Sequence, residues 1–164
     1  MKVERQVMVL LMLILMACQK SEDVAVLEAG LFEGASIQVD GLTRIYDYYI
    51  PKPGGASSLP VVFLLHGGGS SSQDLTGESG LKAPYKVWME LADLDQFMII
   101  YPNGTLGSHG GQGWNDCRSD AASNPQVDDV RFIESLIMEL ARSFPIDNER
   151  IYATGTSNGG HMSL

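Results

Sequence analysis

Hydrophobic and polar positions alternate with a period of two on either side of Asp40-Gly41, over residues 36–50. That pattern, with a tight-turn dipeptide at its centre, predicts a β-hairpin. Residues 60–65 and 97–101 are instead apolar at consecutive positions. Continuous apolar runs of this length are typical of central strands covered on both faces. Residues 36–101 are therefore predicted to contain a hairpin and two buried strands.

Two further stretches follow the helical period. Residues 83–93 carry apolar side chains at helical spacing, which we interpret as core contacts. A second helix is predicted to begin at Asp128 as its N-cap and to be stopped by Pro145. Capping also explains Asp129 better than acid catalysis does. The apolar stripe of this second helix is predicted to consist of Val130, Ile133, Ile137, Leu140 and Phe144.

Strands and helices thus alternate along the chain. Such alternation predicts the α/β class, with right-handed crossovers and a mainly parallel sheet.

The last fourteen residues carry the strongest chemical signal. Residues 151–153 are apolar, which predicts a buried strand, and they run directly into a Gly-x-Ser-x-Gly motif centred on Ser157. At a strand-to-helix turn this motif forms a nucleophile elbow, which raises the serine hydroxyl out of the sheet. Gly155 and Gly159 are expected to tolerate the strained turn, and Gly160 to let the helix pack closely. Ser157 is the candidate nucleophile; a chance occurrence of the motif is the alternative.

A glycine turn follows the first buried strand, where His66 precedes three glycines. The backbone N–H groups of Gly67 and Gly68 are candidate donors to a developing oxyanion, together with the N–H of Asn158. A flexible linker and a phosphate-binding loop are the alternatives. A phosphate loop would require Gly-Lys-Ser/Thr, and this turn contains no lysine.

A long glycine-rich stretch covers residues 105–125 and carries an aromatic side chain, Trp114, among polar neighbours. Loops of this length are functional or disordered more often than not. Trp114 either lines a substrate pocket or anchors the loop to the domain, and the sequence does not decide between them. Cys117, in the same stretch, is either a free thiol or half of a disulfide whose partner is absent from the chain.

The N-terminus has the features of an export signal. Lys2 and Arg5 precede an apolar run at 7–16 that is too short to span a bilayer. The run ends at Cys18 in a sequence that resembles the bacterial lipoprotein box, which implies lipidation of this cysteine and export. We predict a signal peptide over residues 1–17 and a flexible, lipid-anchored tether over 18–32. An ordinary signal peptide, and hence a secreted protein, is the alternative.

The net negative charge of the chain argues against one class of partner, nucleic acid. The formal net charge is −9 and the isoelectric point is about 4.6. A chain that binds nucleic acid needs a basic face to neutralise phosphates, so nucleic acid is not expected as a partner.

Five motifs in order resemble one family. They are residues 65–69, 101–104, 114–118, 127–130 and 155–160. Together they look like the polyhydroxybutyrate depolymerase-like esterases, a group similar to feruloyl and acetylxylan esterases. The resemblance covers residues 33–164 and implies an α/β-hydrolase fold, no cofactor and no metal. It also implies hydrolysis of carboxylic esters, with polyester oligomers or acylated polysaccharides as substrates.

The end of the chain departs from that family. In α/β-hydrolases the acid and the histidine of the triad follow the serine, whereas Leu164 comes soon after Ser157. His66, His109 and His161 are poorly placed to act as the base. We therefore expect an N-terminal part of an esterase that has little activity alone, with a sheet truncated after the elbow and poor solubility.

Two other functions remain open at this point. An exported serine peptidase or acyltransferase would share the same fold, because the elbow alone does not select the acyl acceptor. A non-catalytic lipoprotein that binds glycan or polyester through the Trp114 loop is the third interpretation.

Overall fold

The computed structural model describes residues 27–80, 86–116 and 118–164. The signal peptide, Cys18, most of the tether and Cys117 lie outside these ranges. The strands are β1 (Gly30–Val39), β2 (Leu42–Ile50), β3 (Leu59–Leu65), β4 (Met98–Pro102), β5 (Thr105–Leu106), β6 (Gln112–Gly113) and β7 (Ile146–Gly155). The helices are α1 (Ser72–Thr76), α2 (Val87–Asp95), α3 (Asp129–Ser143) and α4 (Asn158–Met162).

Five of the strands form one sheet in the order β1-β2-β4-β3-β7, and β5 pairs with β6 separately. β4, β3 and β7 are mutually parallel, whereas β1 and β2 pair antiparallel at one side. The connections between the parallel strands contain helices, so the predicted α/β class is confirmed. The sheet is mixed, because the N-terminal hairpin adds two antiparallel strands to the parallel part.

The predicted hairpin is present. Asp40 and Gly41 connect β1 to β2 with φ of 50° and 78°, the pair of positive values that a two-residue hairpin turn needs. β1 begins at Gly30 and Leu27 packs against the core. The last residues of the predicted tether therefore belong to the folded domain.

The sheet separates two apolar layers. β3 supplies Val61, Phe63 and Leu65 to the layer that contains α3, and Leu64 to the layer that contains α2. This two-sided burial confirms that β3 is a central strand covered on both faces. Within the described ranges, no helix is long and apolar enough to cross a membrane.

The first predicted helix corresponds to α2, although residues 81–85 lie outside the described ranges. Ala92 on α2 is fully buried, and Trp88 and Met89 pack against the same layer, as predicted.

The second helix corresponds to α3, with its cap as predicted: the Asp128 side chain accepts a hydrogen bond from the N–H of Arg131 at 2.9 Å. The predicted stripe is partly wrong, because Val130 is 51% exposed whereas Phe132 and Leu136 are fully buried. Apolar residues occupy two overlapping sets of helical positions here. The helix turns the set that contains Phe132 toward the sheet.

A buried ion pair, which the sequence did not reveal, fixes the start of α3. Arg44 of β2 donates to Asp129 at 2.6 Å, and both side chains are almost fully excluded from solvent. The other carboxylate oxygen of Asp129 accepts from the N–H of Asn115 at 2.7 Å. Asp129 therefore acts neither as a cap nor as an exposed acid: it connects the hairpin, α3 and the loop around Trp114.

The strand that leads to Ser157 is formed but is not buried as predicted. Among the described strands, β7 pairs only with β3 and lies at one side of the sheet. Tyr152 is 55% exposed and Ala153 is also exposed. An apolar run indicates a strand, but it does not reveal how many neighbours cover that strand.

Candidate active site

The site begins at the bend between β7 and α4, where Ser157 has a φ of 51° and a ψ of −116°. A positive φ is rare for a residue with a side chain and costs on the order of 1–3 kcal/mol. It persists only where the surroundings enforce it. The strand, the strained serine and the helix occur in the order that a nucleophile elbow requires. Ser157 is exposed to solvent.

The flanking glycines allow close approach of backbone segments. Neither Gly155 nor Gly159 has a positive φ, which differs from the strain-based expectation. A Cβ on Gly159 would lie 2.3 Å from the carbonyl oxygen of Leu65, and a Cβ on Gly155 would lie 2.5 Å from the carbonyl carbon of Gly159. α4 can therefore pack onto the end of β3 only because these positions lack side chains.

The glycine turn after β3 lies directly against the elbow. The N–H of Thr156 donates to the carbonyl oxygen of Leu65 at 3.1 Å. A Cβ on Gly67 would be 3.7 Å from the Cβ of Ser157, and a Cβ on Gly68 would be 3.7 Å from the Cβ of Asn158. The structure thus brings together the four residues predicted for the nucleophile and the oxyanion hole.

Three backbone N–H groups in this cluster can serve as hydrogen-bond donors to a ligand. The N–H groups of Gly67, Gly68 and Asn158 make no hydrogen bond to any acceptor in the described part of the chain. Gly68 is exposed and Gly67 is half-buried, so a bound ligand can approach the turn. Uncommitted amides beside a serine are the arrangement that stabilises a tetrahedral oxyanion.

The side chain of His66 fixes the conformation of the glycine turn through hydrogen bonds. It is fully buried, and its Nε2 accepts a hydrogen bond from the N–H of Gly104 at 3.0 Å. We therefore assign the proton to Nδ1, which donates to the carbonyl oxygen of Gly67 at 2.8 Å. Burial lowers the pKa of this imidazole, which favours the same neutral form. Because a trans peptide directs its C=O and N–H oppositely, fixing the Gly67 carbonyl also orients the N–H of Gly68.

Trp114 occupies the anchoring position. Its side chain is fully buried, and its Nε1 donates to the carbonyl oxygen of His66 at 2.8 Å. The indole and imidazole rings pack with their centroids 5.0 Å apart. Of the two alternatives for Trp114, the structure therefore favours attachment of the loop over a wall of the substrate pocket.

The side chain of Asn158 joins the elbow to the same loop. Its Oδ1 accepts from the N–H of Trp114 at 2.7 Å, and its Nδ2 donates to the Trp114 carbonyl oxygen at 3.1 Å. This double contact between positions 44 residues apart was not visible in the sequence. It gives Asn158 a role for its side chain in addition to the one predicted for its backbone.

The other histidines do not approach the serine hydroxyl through any hydrogen bond among the described residues. His109 and His161 are exposed, and the backbone N–H of His161 donates to the Ser157 carbonyl oxygen at 3.0 Å. Both nitrogens of His66 are occupied. In the described ranges, no group of three or more His, Cys, Asp or Glu side chains is arranged to hold a metal ion.

A small apolar cleft adjoins the elbow. It has a volume of about 140 Å³ and is bordered by Leu75 and Trp88 on one side and by residues 154–156 on the other.

Comparison with known proteins places these features in context. No family model matches the chain. The chain is 30% identical over 133 residues to NocK of Nocardia uniformis subsp. tsuyamanensis, a candidate esterase by its name. It is 35% identical over 97 residues to feruloyl esterase B of Piromyces equi. These matches cover 78% and 58% of the chain, but only 35% and 15% of the respective relatives.

Solved structures agree on the fold. An S-formylglutathione hydrolase of Agrobacterium tumefaciens superposes with a TM-score of 0.57 at 19% identity, over 81% of this chain and 50% of that one. At this identity the likeness shows the fold alone. The chain spans about a third of NocK and a smaller part of feruloyl esterase B. The chain therefore has the α/β-hydrolase fold, and its sequence relatives bear the names of esterases.

Proposed function

We propose that this chain supplies the nucleophile and the oxyanion hole of a serine-dependent carboxylic ester hydrolase. One observation carries the proposal: Ser157 has a strained, positive φ and lies against a glycine turn whose Gly67 and Gly68 N–H groups make no hydrogen bond to the described residues. Strain of this kind is retained where function needs it. The sequence relatives named as esterases support the same reaction class.

In the proposed reaction, the Oγ of Ser157 attacks the carbonyl carbon of the ester. The oxygen that becomes negative accepts hydrogen bonds from the amides of Gly67, Gly68 and Asn158. The alcohol then leaves, and water hydrolyses the acyl-enzyme to release the acid and regenerate the serine.

The serine proton must pass to a general base. None of the three histidines of the chain is hydrogen-bonded to the Ser157 hydroxyl within the described ranges. The chain order of α/β-hydrolases places the acid and the histidine after the nucleophile. We therefore assign neither role to a residue of this chain.

We infer the substrate class from the resemblance to the polyhydroxybutyrate depolymerase-like esterases, a group similar to feruloyl and acetylxylan esterases. An acylated polysaccharide or a polyester oligomer would bring its ester bond to the exposed Ser157, with the chain of the polymer outside. The predicted export signal, with Cys18 as the lipidated residue, would place the enzyme at a membrane surface, where it would reach polymers outside the cell. Loss of detergent-phase partitioning in a Cys18→Ser variant would test that anchor.

The experiment uses the native gene product as its own cells make it, recovered with antibodies against residues 27–164. Hydrolysis of p-nitrophenyl acetate and methyl ferulate is measured for the wild type and for Ser157→Ala, with Ser163→Ala on the same short segment as the control. We expect Ser157→Ala to lower kcat by about a thousand-fold or more and the control to retain activity.

Ester turnover that survives Ser157→Ala would overturn the proposal. Faster transfer to an amine or alcohol than to water, or faster cleavage of peptides than of esters, would favour the acyltransferase or peptidase alternative instead.

A further inference from the structure

The carboxylate of Asp116 is the centre of a buried polar network beside the elbow. Its side chain is fully excluded from solvent. One oxygen accepts from Asn158 Nδ2 at 2.7 Å and from Arg118 Nε at 2.9 Å, and the other accepts from Asn124 Nδ2 at 2.7 Å. Arg118 also forms an ion pair with it at 2.9 Å. The second oxygen also accepts from the N–H of Arg118 at 3.3 Å, so each carboxylate oxygen has at least two donors.

The charge of Asp116 is retained despite its burial. Burial opposes ionisation, but hydrogen bonds from Arg118 and Asn158 outweigh it and lower the pKa of the carboxyl group. The anion therefore persists at neutral pH as an acceptor for the Asn158 side chain. A neutral group would accept these bonds more weakly.

Both polar atoms of the Asn158 side chain, Nδ2 and Oδ1, are therefore fixed by hydrogen bonds. Both hydrogens on Nδ2 are used, one by Trp114 and one by Asp116, and Oδ1 is used by the N–H of Trp114. The side chain cannot turn over without placing Oδ1 against the carboxylate. Fixing the side chain restricts rotation of the residue whose backbone N–H lies next to Ser157.

The local backbone needs such restraint. α4 has only five residues, and its first residue directly follows the strained Ser157. A short helix provides few hydrogen bonds of its own, so contacts outside the helix must hold the bend. Asp116 provides one of these contacts from a different loop.

We propose that Asp116 is a positioning residue that aims the Asn158 amide at the oxyanion through the Asn158 side chain. This inference rests on the proposed function. Asp116 itself would touch neither substrate nor Ser157, and its occupied oxygens leave no position free to orient a catalytic histidine.

The test compares the wild type with Asp116→Asn in the native gene product. Asparagine at this position keeps the size of the side chain but presents a weaker, uncharged partner to Asn158. We expect kcat per titrated active site to fall about 10- to 100-fold, part of the loss for removing an oxyanion donor outright. KM should stay within about twofold, because ground-state binding does not use the oxyanion contact.

Asp147→Asn is the matched control. Asp147 also pairs with an arginine, Arg150 at 2.6 Å, but on the exposed part of β7. We expect its kcat to equal that of the wild type. A fluorophosphonate titration counts the competent sites in each sample, so partial unfolding lowers the count and leaves kcat per site unchanged.

An unchanged kcat per site in Asp116→Asn would overturn the inference, even if the wild type is an active Ser157-dependent esterase. Absence of Ser157-dependent turnover in the wild type would instead refute the proposed function. If Asp116→Asn does not fold, Arg118→Gln replaces it, because the Arg118 side chain is 39% exposed and its loss removes donors that orient the Asp116 carboxylate, which then holds Asn158 less firmly. A fall of about three- to tenfold in kcat per site is then expected, and no fall would overturn the inference.

Discussion

The N–H of Thr156 donates a hydrogen bond to the carbonyl oxygen of Leu65 at 3.1 Å. Thr156 immediately precedes the candidate nucleophile, and Leu65 is the last residue of the strand before the glycine turn. This bond extends the parallel pairing of β3 and β7 beyond Gly155. It explains how two motifs separated by about ninety positions form one site. Both follow the carboxyl ends of neighbouring parallel strands, and these ends lie side by side.

The packing of α4 against β3 predicts the effect of a single methyl group. Gly159→Ala would place a Cβ 2.3 Å from the carbonyl oxygen of Leu65 and 2.4 Å from that of His66. Both contacts are with backbone, which cannot move aside cheaply. We expect a loss of about 1–3 kcal/mol in the free energy of unfolding, measured from urea midpoints.

Gly160→Ala is the control for that prediction, because its nearest contact is the carbonyl oxygen of Gly155 at 3.1 Å. It should destabilise the protein less than Gly159→Ala. An equal loss in both variants would show that close packing at Gly159 is not the cause.

Replacing Ser157 tests the strained backbone separately from chemistry. Ser157→Ala and Ser157→Gly both remove the hydroxyl, but only glycine adopts a φ of 51° without a steric cost. We expect Ser157→Gly to be the more stable of the two by about 1 kcal/mol in urea unfolding. If the alanine variant is at least as stable, the bend does not hold Ser157 in the conformation described.

The buried pair of Arg44 and Asp129 predicts a large loss when one partner is neutralised. Asp129→Asn would leave the guanidinium, which also packs over the Phe132 ring at 3.8 Å, without its counter-charge in the core. We expect a destabilisation of about 3–5 kcal/mol by urea midpoint.

The exposed pair of Arg142 and Glu139 serves as the comparison, since it spans 3.2 Å at the surface of α3. Glu139→Gln should change the stability by less than about 1 kcal/mol. A similar effect at both sites would mean that burial does not set the size of the loss.

The buried imidazole of His66 predicts a pH dependence of stability. Its pKa is lowered from 6.5 in the folded protein, so on acidification the unfolded chain binds this proton first. Stability is then unaffected above the unfolded pKa and decreases as the pH falls below it, by at most about 1.4 kcal/mol per pH unit.

Urea midpoints at about pH 7.5 and about pH 5.5 measure this dependence, with His66→Gln to remove the titrating group. The difference between the two pH values should be smaller in His66→Gln than in the wild type. The exposed His161 is replaced in the same way to control for the loss of an imidazole, and the comparison is between the two variants. If His66→Gln shows the same difference in urea midpoint between the two pH values as the wild type, His66 is not the group that causes the pH dependence.

The features that sequence patterns captured are local. The turn at Asp40-Gly41 and the two-sided strand β3 depend on residues adjacent in the chain, and both were predicted correctly. The exposed face of Val130 was missed because two apolar sets fit one helix, and only packing against the sheet selects between them.

The polar contacts under the site could not be predicted for a different reason. Asn158 and Asp116 lie 42 positions apart, and the sequence does not distinguish Asp116 from the other polar residues of that loop as a partner for Asn158. The tautomer of His66 likewise depends on Gly104, which only the folded sheet brings near. Sequence predicts which residue types the chemistry needs, while the contacts that orient them arise from tertiary packing.

The central claim is that the hydroxyl of Ser157 is the attacking nucleophile. The most direct test is to treat the native gene product with a fluorophosphonate and to locate the adduct by peptide mass spectrometry, with Ser157→Ala in parallel. We expect one adduct on the peptide that contains Ser157, with loss of ester hydrolysis in proportion to labelling and no adduct in Ser157→Ala. An active esterase that is labelled at another residue, or not labelled at all, would contradict it.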